Sequence, residues 1–134
     1  MSKAWKAFEK QTAEFFGGLR RIRIMYNESV GDVIHPYYSI ECKYGGQVPN
    51  YLAPYVPTEL EVGGKYFQVV PSNYITIIRK KLHVRSLGYV KKSRKSSKFL
   101  DDTMDQARRY NPTLEPIVCV KPKYWRGFII IWEV

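Results

Sequence analysis

Histidine and cysteine are scarce in this chain, acidic residues are outnumbered, and long hydrophobic runs are missing altogether. Among 134 residues there are two cysteines and two histidines. Cys42 and Cys119 form no CxxC and have no histidine at ligand spacing, which argues against a zinc site. Each sits in a strand-like stretch, so two buried, reduced thiols are expected in preference to a disulfide. His35 and His83 have no nucleophile or metal-ligand partner at useful spacing and receive no catalytic role. The longest uninterrupted apolar run, Phe128 to Trp132, is strand-sized and too short to span a membrane. The basic opening residues lead into an amphipathic pattern carrying Glu9 and Glu14, with no h-region of a signal peptide. The expected compartment is therefore the cytoplasm, or the host cytoplasm for a viral chain, with no membrane partner. Gly45-Gly46 and Gly63-Gly64 lack the strand–helix context and the Lys-Ser/Thr ending of a nucleotide-binding phosphate loop. There is no internal repeat.

What is abundant is positive charge. Lysine and arginine number 22 against 12 acidic residues, a formal net charge of +10. A field of that size on a small body favours polyanions, of which nucleic acid is the commonest. With 45% hydrophobic residues the chain is expected to fold, and its length suits one domain over residues 1–134.

Periodicity divides that domain. Residues 3–16 place Ala4, Trp5, Phe8, Thr12 and Phe15 on one side at helical spacing, and Gly17-Gly18 ends the helix. Leu19 to Met25 alternates apolar and basic residues as a half-buried strand does. Short apolar stretches follow at Gly31–His35 and Tyr37–Lys43, separated by Pro36. Ser97–Tyr110 is a second helix, stopped by Asn111-Pro112. Glu115–Val120 and Phe128–Val134 are strands flanking a turn at 121–127. The middle, about 44–96, reads as an insertion into a core made of 3–43 and 97–134. It opens on a Tyr/Pro-rich loop, has a strand at Lys65–Val70 and an ambiguous stretch at Tyr74–Val84, and closes on the basic tract 91–98.

The chemistry gathers near Tyr38-Ser-Ile-Glu-Cys-Lys43. Side chains alternate across a strand, so Glu41 and Lys43 share one face while Ile40 and Cys42 share the other. Asp32 lies nine residues before Glu41. If the two stretches pair as a hairpin across His35-Pro36, both carboxylates converge. Two carboxylates and a backbone carbonyl suit Mg²⁺, which demands oxygen ligands. A lysine beside them can orient a metal-bound water, and the ion can polarise a scissile phosphate. The bland alternative is a solvated Glu–Lys pair on an exposed strand.

Gly31-Asp32, then Ile40-Glu41-Cys42-Lys43, on a helix–strand–strand–strand–helix–strand frame, resembles the PD-(D/E)XK nuclease superfamily. The nearest likeness is its Holliday-junction-resolvase-like branch of small phage and archaeal endonucleases. The resemblance covers residues 4–43 and about 97–133, with Gly31 standing where the motif usually has proline and with the middle unmatched. It implies an α/β, restriction-endonuclease-like core: a mixed central sheet flanked by helices, with an insertion after the third strand. It further implies Mg²⁺, with Mn²⁺ as substitute, held by Asp32, Glu41 and the carbonyl of Cys42, and Lys43 as catalytic lysine. Glu9 is the best match to the glutamate that completes such sites, with Glu14 as fallback. Gln106 and Tyr110 fit a Gln-x-x-x-Tyr motif of related nucleases and share a helix face as accessory residues. The implied activity is a metal-dependent endodeoxyribonuclease acting as a homodimer on branched or duplex DNA in recombination.

Phosphate contacts are expected from Arg20, Arg21 and Arg23 on the first strand and from Lys91, Lys92, Arg94, Lys95 and Lys98. Tyr44, Tyr51 and Tyr55 are candidates to stack on unpaired bases, or else to pack within the insertion. The competing reading is a basic nucleic-acid-binding protein or inactive nuclease relative, and RNA is a third possibility for the substrate.

Overall fold

A computed structural model describes residues 2–20, 32–79, 81–85, 91–95 and 98–134. The helix expected from the three- and four-residue spacing is α1, Ser2–Phe16. It ends where Gly17 turns left-handed at φ 70°. The Gly17 amide donates to Glu14 O at 3.3 Å and the Gly18 amide to Ala13 O at 2.9 Å. This paired closure satisfies the last carbonyls of the helix and needs a residue that tolerates positive φ. Gly18 has a second reason to be small, because a Cβ there would lie 2.5 Å from the main-chain oxygen of Ile34.

That close approach lays strand β1 (Leu19–Arg20) against β2 (Val33–Ile34), which pairs in turn with β3 (Tyr38–Tyr44), both antiparallel. The remainder of the expected first strand, including Arg21 and Arg23, falls outside the described residues. The middle of the chain supplies β4 (Thr58–Val62), β5 (Lys65–Pro71), β6 (Ile75–Ile78), β7 (Lys81–Val84) and β8 (Lys91–Lys95). Helix α2 (Lys98–Tyr110), β9 (Glu115–Lys121) and β10 (Ile129–Glu133) complete the order.

The result is α/β with a mixed sheet. Its strand order is β1-β2-β3-β9-β10-β5-β4-β8 among the described residues, with β6–β7 a separate hairpin. The β3–β9 and β4–β8 pairs are parallel and the others antiparallel. Helix α2 lies in the crossover between the parallel strands β3 and β9, where such connections need a covering element. One apolar cluster joins Phe8, Ala13 and Phe16 of α1 to Ile40, Val70, Ile117 and Ile130, with Ile77 and Leu82 of the hairpin packed on it. The other joins Leu100 and Met104 of α2 to Leu60, Phe67, Val69, Val118 and Ile131. The helices therefore cover opposite faces of the sheet.

Three features of the middle differ from the sequence reading. Thr58–Val62 is a strand whose burial alternates with its sequence, Thr58, Leu60 and Val62 inward; the Tyr/Pro-rich run before it obscures the pattern. Tyr74–Val84 is neither one strand nor a helix but a hairpin, turning at Arg79 with φ 50°. The basic tract, given no element in the sequence, holds a strand in register with β4 at the end of the strand order among the described residues, Lys91 beside Thr58 and Lys95 beside Val62. Strands β4, β5 and β8 extend the same sheet, and Leu60, Phe67 and Val69 pack beneath α2. No helix among the described residues is long and apolar enough to cross a membrane.

The helix exit gives a direct test. Gly18→Ala is expected to lower the unfolding free energy by about 1–3 kcal/mol, since main chain must shift to admit the methyl group. Gly17→Ala, strained only at φ, should cost about 1–2 kcal/mol. Urea denaturation of the three proteins measures both.

Candidate active site

The register between β2 and β3 builds the site. Val33 pairs with Ile40, and Asp32, the residue before Val33, brings its carboxyl against that of Glu41. At this step the ladder changes character. The Asp32 amide donates to Ile40 O at 3.0 Å, and the Cys42 amide donates to Asp32 Oδ2 at 2.8 Å. A carboxylate oxygen thus stands where a strand carbonyl would, and the amide of Cys42 aims it. Since N–H and C=O of one strand residue project to the same edge, the Cys42 carbonyl leaves β3 toward Asp32 as well. Among the described residues no strand covers Glu41–Tyr44 on that side.

His35 holds the turn between the two strands. Its Nε2 lies 3.0 Å from Phe16 O, and its Nδ1 accepts from the Tyr37 amide at 3.1 Å. A carbonyl facing Nε2 and an amide facing Nδ1 are met together only by the neutral ring protonated at Nε2. The residue given no catalytic role ties the end of α1 to the β2–β3 turn.

Glu41 is 3% exposed. Its Oε1 lies 3.8 Å from Lys43 Nζ, and its Oε2 is buried without a hydrogen-bond partner. Burial pushes its carboxyl up to about 9, helped by the charge and proximity of Asp32, while the Lys43 ammonium and the Tyr110 hydroxyl pull the other way. Tyr110 in turn receives a hydrogen bond from Gln106 Nε2 at 3.2 Å. The i, i+4 pair of α2 therefore reaches the Glu41 side of the sheet. On the same face, Ser39 Oγ donates to Ala107 O at 2.5 Å and anchors β3 to α2.

Asp32, Glu41 and Cys42 line one open cleft of about 360 Å³ with Trp5, Phe8 and Glu9 of α1, Tyr44 and Gln47. Glu9 is half-buried there, whereas Glu14 is exposed and outside the lining. Gln47 is an addition that sequence reasoning passed over: it closes the turn Gly45–Gln47 directly after β3, and nothing in Tyr44-Gly-Gly-Gln distinguishes it from loop. Cys42 lies across from Cys119 in the β3–β9 register, and both thiols are free. Burial foremost, then the neighbouring thiol and carboxylates, raises Cys42, and burial raises Cys119, so both stay protonated. The phosphate-contact candidates are dispersed. Arg20 lies on β1 at one end of the strand order, Lys91, Lys92, Arg94 and Lys95 lie on β8 at the other end, and Lys98 is exposed at the start of α2.

Among the described residues no three His, Cys, Asp or Glu side chains form a ready-made metal cage. A hard divalent cation nevertheless fits what is present: two adjoining carboxylates, a carbonyl at the same edge, a buried Glu41 oxygen that lacks a partner, and room for water. Comparison with family models, curated proteins and solved structures finds no match to this chain.

The Glu41 shift sets a pH dependence. The folded protein holds this proton more tightly than the unfolded chain, so its contribution to stability is complete below the ordinary value of 4.5 and is lost as pH rises to about 9. In chelator, the melting temperature should fall between these limits. Glu41→Gln, which mimics the protonated acid, should flatten the decline and melt higher than the parent at pH 8. Parallel curves for the two proteins in a thermal-melt pH series would refute the assignment.

Proposed function

We propose that the chain is a Mg²⁺-dependent DNA endonuclease with a restriction-endonuclease-like core, resolvase-like in acting as a homodimer on branched or duplex DNA. The observation that carries this reading is the meeting of the Asp32 and Glu41 carboxyls where β2 joins β3, with Lys43 beside Glu41 on the same face of β3. The helix, three-strand meander, crossover helix and parallel strand formed by α1, β1–β3, α2 and β9 support it, as does the net charge of +10. The two symmetric cuts that resolve a four-way junction require two sites, hence the dimer.

In this reading Asp32, Glu41 and the Cys42 carbonyl hold the cation, and Glu9 reaches it from the α1 wall. Bound there, Mg²⁺ supplies positive charge that polarises the scissile phosphate and steadies the charge developing on it. The Cys42 amide keeps Asp32 aimed, at 2.8 Å, without side-chain rearrangement. Lys43 stands beside Glu41, where its ammonium orients the attacking water and offsets negative charge on the phosphate. Tyr110, braced by Gln106, limits Glu41 from the α2 side. Arg20 and the basic residues of 91–98 bind phosphates without reading sequence.

Incubation with a four-way junction and a linear duplex, in Mg²⁺ or in chelator, tests this. Cleavage should require the metal. Asp32→Asn should abolish it with DNA binding nearly intact, and Lys43→Ala should slow it about 10²- to 10⁴-fold. Mg²⁺ should raise the melting temperature of the parent at pH 8 and lose this effect in Glu41→Gln. Absence of cutting under every divalent metal tried would leave a non-catalytic nucleic-acid-binding protein instead.

A further inference from the structure

The loop between β9 and β10 is more than a connection. In the β3–β9 register Glu41 stands beside Val118 and Tyr44 beside Lys121, so β9 runs on about 10 Å past the level of the carboxylates before the loop begins. The loop is fixed to the helix that walls the cleft. Lys121 Nζ donates to Gln11 Oε1 at 2.9 Å and to Arg126 O at 3.1 Å, and Gln11 Nε2 donates to Arg126 O at 3.2 Å. Gln11 lies two residues beyond Glu9 on α1.

Two aromatic rings stand side by side between two cations on this loop, Lys123-Tyr124-Trp125-Arg126, with no acidic residue between Lys121 and Gly127. Tyr124 is 92% exposed and has φ 72°, a left-handed conformation that glycine adopts freely and a bulky side chain seldom does. The Lys123 ammonium lies 5.3 Å from the centre of its ring. Trp125 is half-buried against the cluster beneath α2 and backs Tyr55, their centroids 5.4 Å apart and planes 16° from parallel, and Tyr55 is 81% exposed. Single exposed rings are ordinary. A strained, solvent-facing tyrosine beside a stacked aromatic pair, flanked by cations, matches the chemistry that holds unpaired nucleic acid: rings take base faces and cations track phosphates. A duplex hides its base faces and cannot use such rings.

We propose that Tyr124 and Tyr55, the latter backed by Trp125, form with Lys123 and Arg126 a stacking platform for unpaired bases of a DNA strand leaving the cleft. The substrate class is then DNA with an unpaired stretch beside the cut, such as a flap, a splayed arm or a gap. This rests on the endonuclease reading for its place in a reaction, but the binding itself does not depend on cleavage.

Fluorescence anisotropy in chelator, with labelled oligo(dT) and a blunt duplex of equal length, separates the two. Tyr124→Gly relieves the backbone and should melt no lower than the parent, yet bind oligo(dT) about five- to a hundredfold more weakly. Tyr124→Phe should bind like the parent, and duplex affinity should be unchanged in both variants. Oligo(dT) binding unaffected by Tyr124→Gly, or an equal loss for duplex and single strand, overturns the platform. Because no metal is present, a protein that never cuts DNA can still pass this test, and one that cuts duplex efficiently can still fail it.

Discussion

One cross-strand pair, Val33 with Ile40, governs the geometry on which the rest depends. Strand side chains repeat every two residues, so a slip of one position would send Glu41 and Lys43 to the α1 face and bring Ile40 and Cys42 to the α2 face. The register is held from three directions. His35 clamps the turn to the end of α1, Ser39 ties β3 to the backbone of α2, and the parallel pairing with β9 runs the full length of β3. The exposed edge between Glu41 and Tyr44 is therefore not a loose end of the sheet. It is a well-supported strand left uncovered on one side among the described residues.

How much of this is legible in the sequence follows from where each element gets its stability. Helix α1, β3, β9 and β10 carry their pattern within their own residues, and the alternation in Tyr38–Lys43 is enough by itself to place Glu41 and Lys43 together. The α/β class with a mixed sheet follows from the same patterns. Strand β8 has no apolar residue to announce it; its hydrogen bonds to β4, more than thirty residues earlier, make it a strand. The Asp32–Cys42 hydrogen bond is hidden for a similar reason. A hairpin brings two carboxylates near each other, but the spacing does not say for which amide one of them replaces a carbonyl. Burial of Glu41 depends on α2 closing over β3, a contact between segments some sixty residues apart in sequence.

The charge distribution also reads differently in three dimensions. The densest basic run lies on β8, five strand positions from β3, or about 24 Å across the sheet. Two cations on the other half of the sheet are held by specific contacts. Lys43 stands beside Glu41, and Lys121 is bound to Gln11 and to the β9–β10 loop. A bulk charge that suggests a polyanion partner thus divides into a remote field and a few fixed contacts near the cleft.

The strand order has a consequence for how the chain is made. Strand β10 is the last of the strands in sequence, yet it lies between β9 and β5, joining the half of the sheet that carries Asp32 and Glu41 to the half built from the middle of the chain. Glu41 meets its parallel partner Val118 only 77 residues later. A ribosome releasing this protein from its N-terminus delivers both carboxylates early and the strands that bury one of them late. Long-range pairing of this kind folds slowly. Until those late strands are made, the partners that bury Glu41 in the sheet are absent and its carboxylate is left to water.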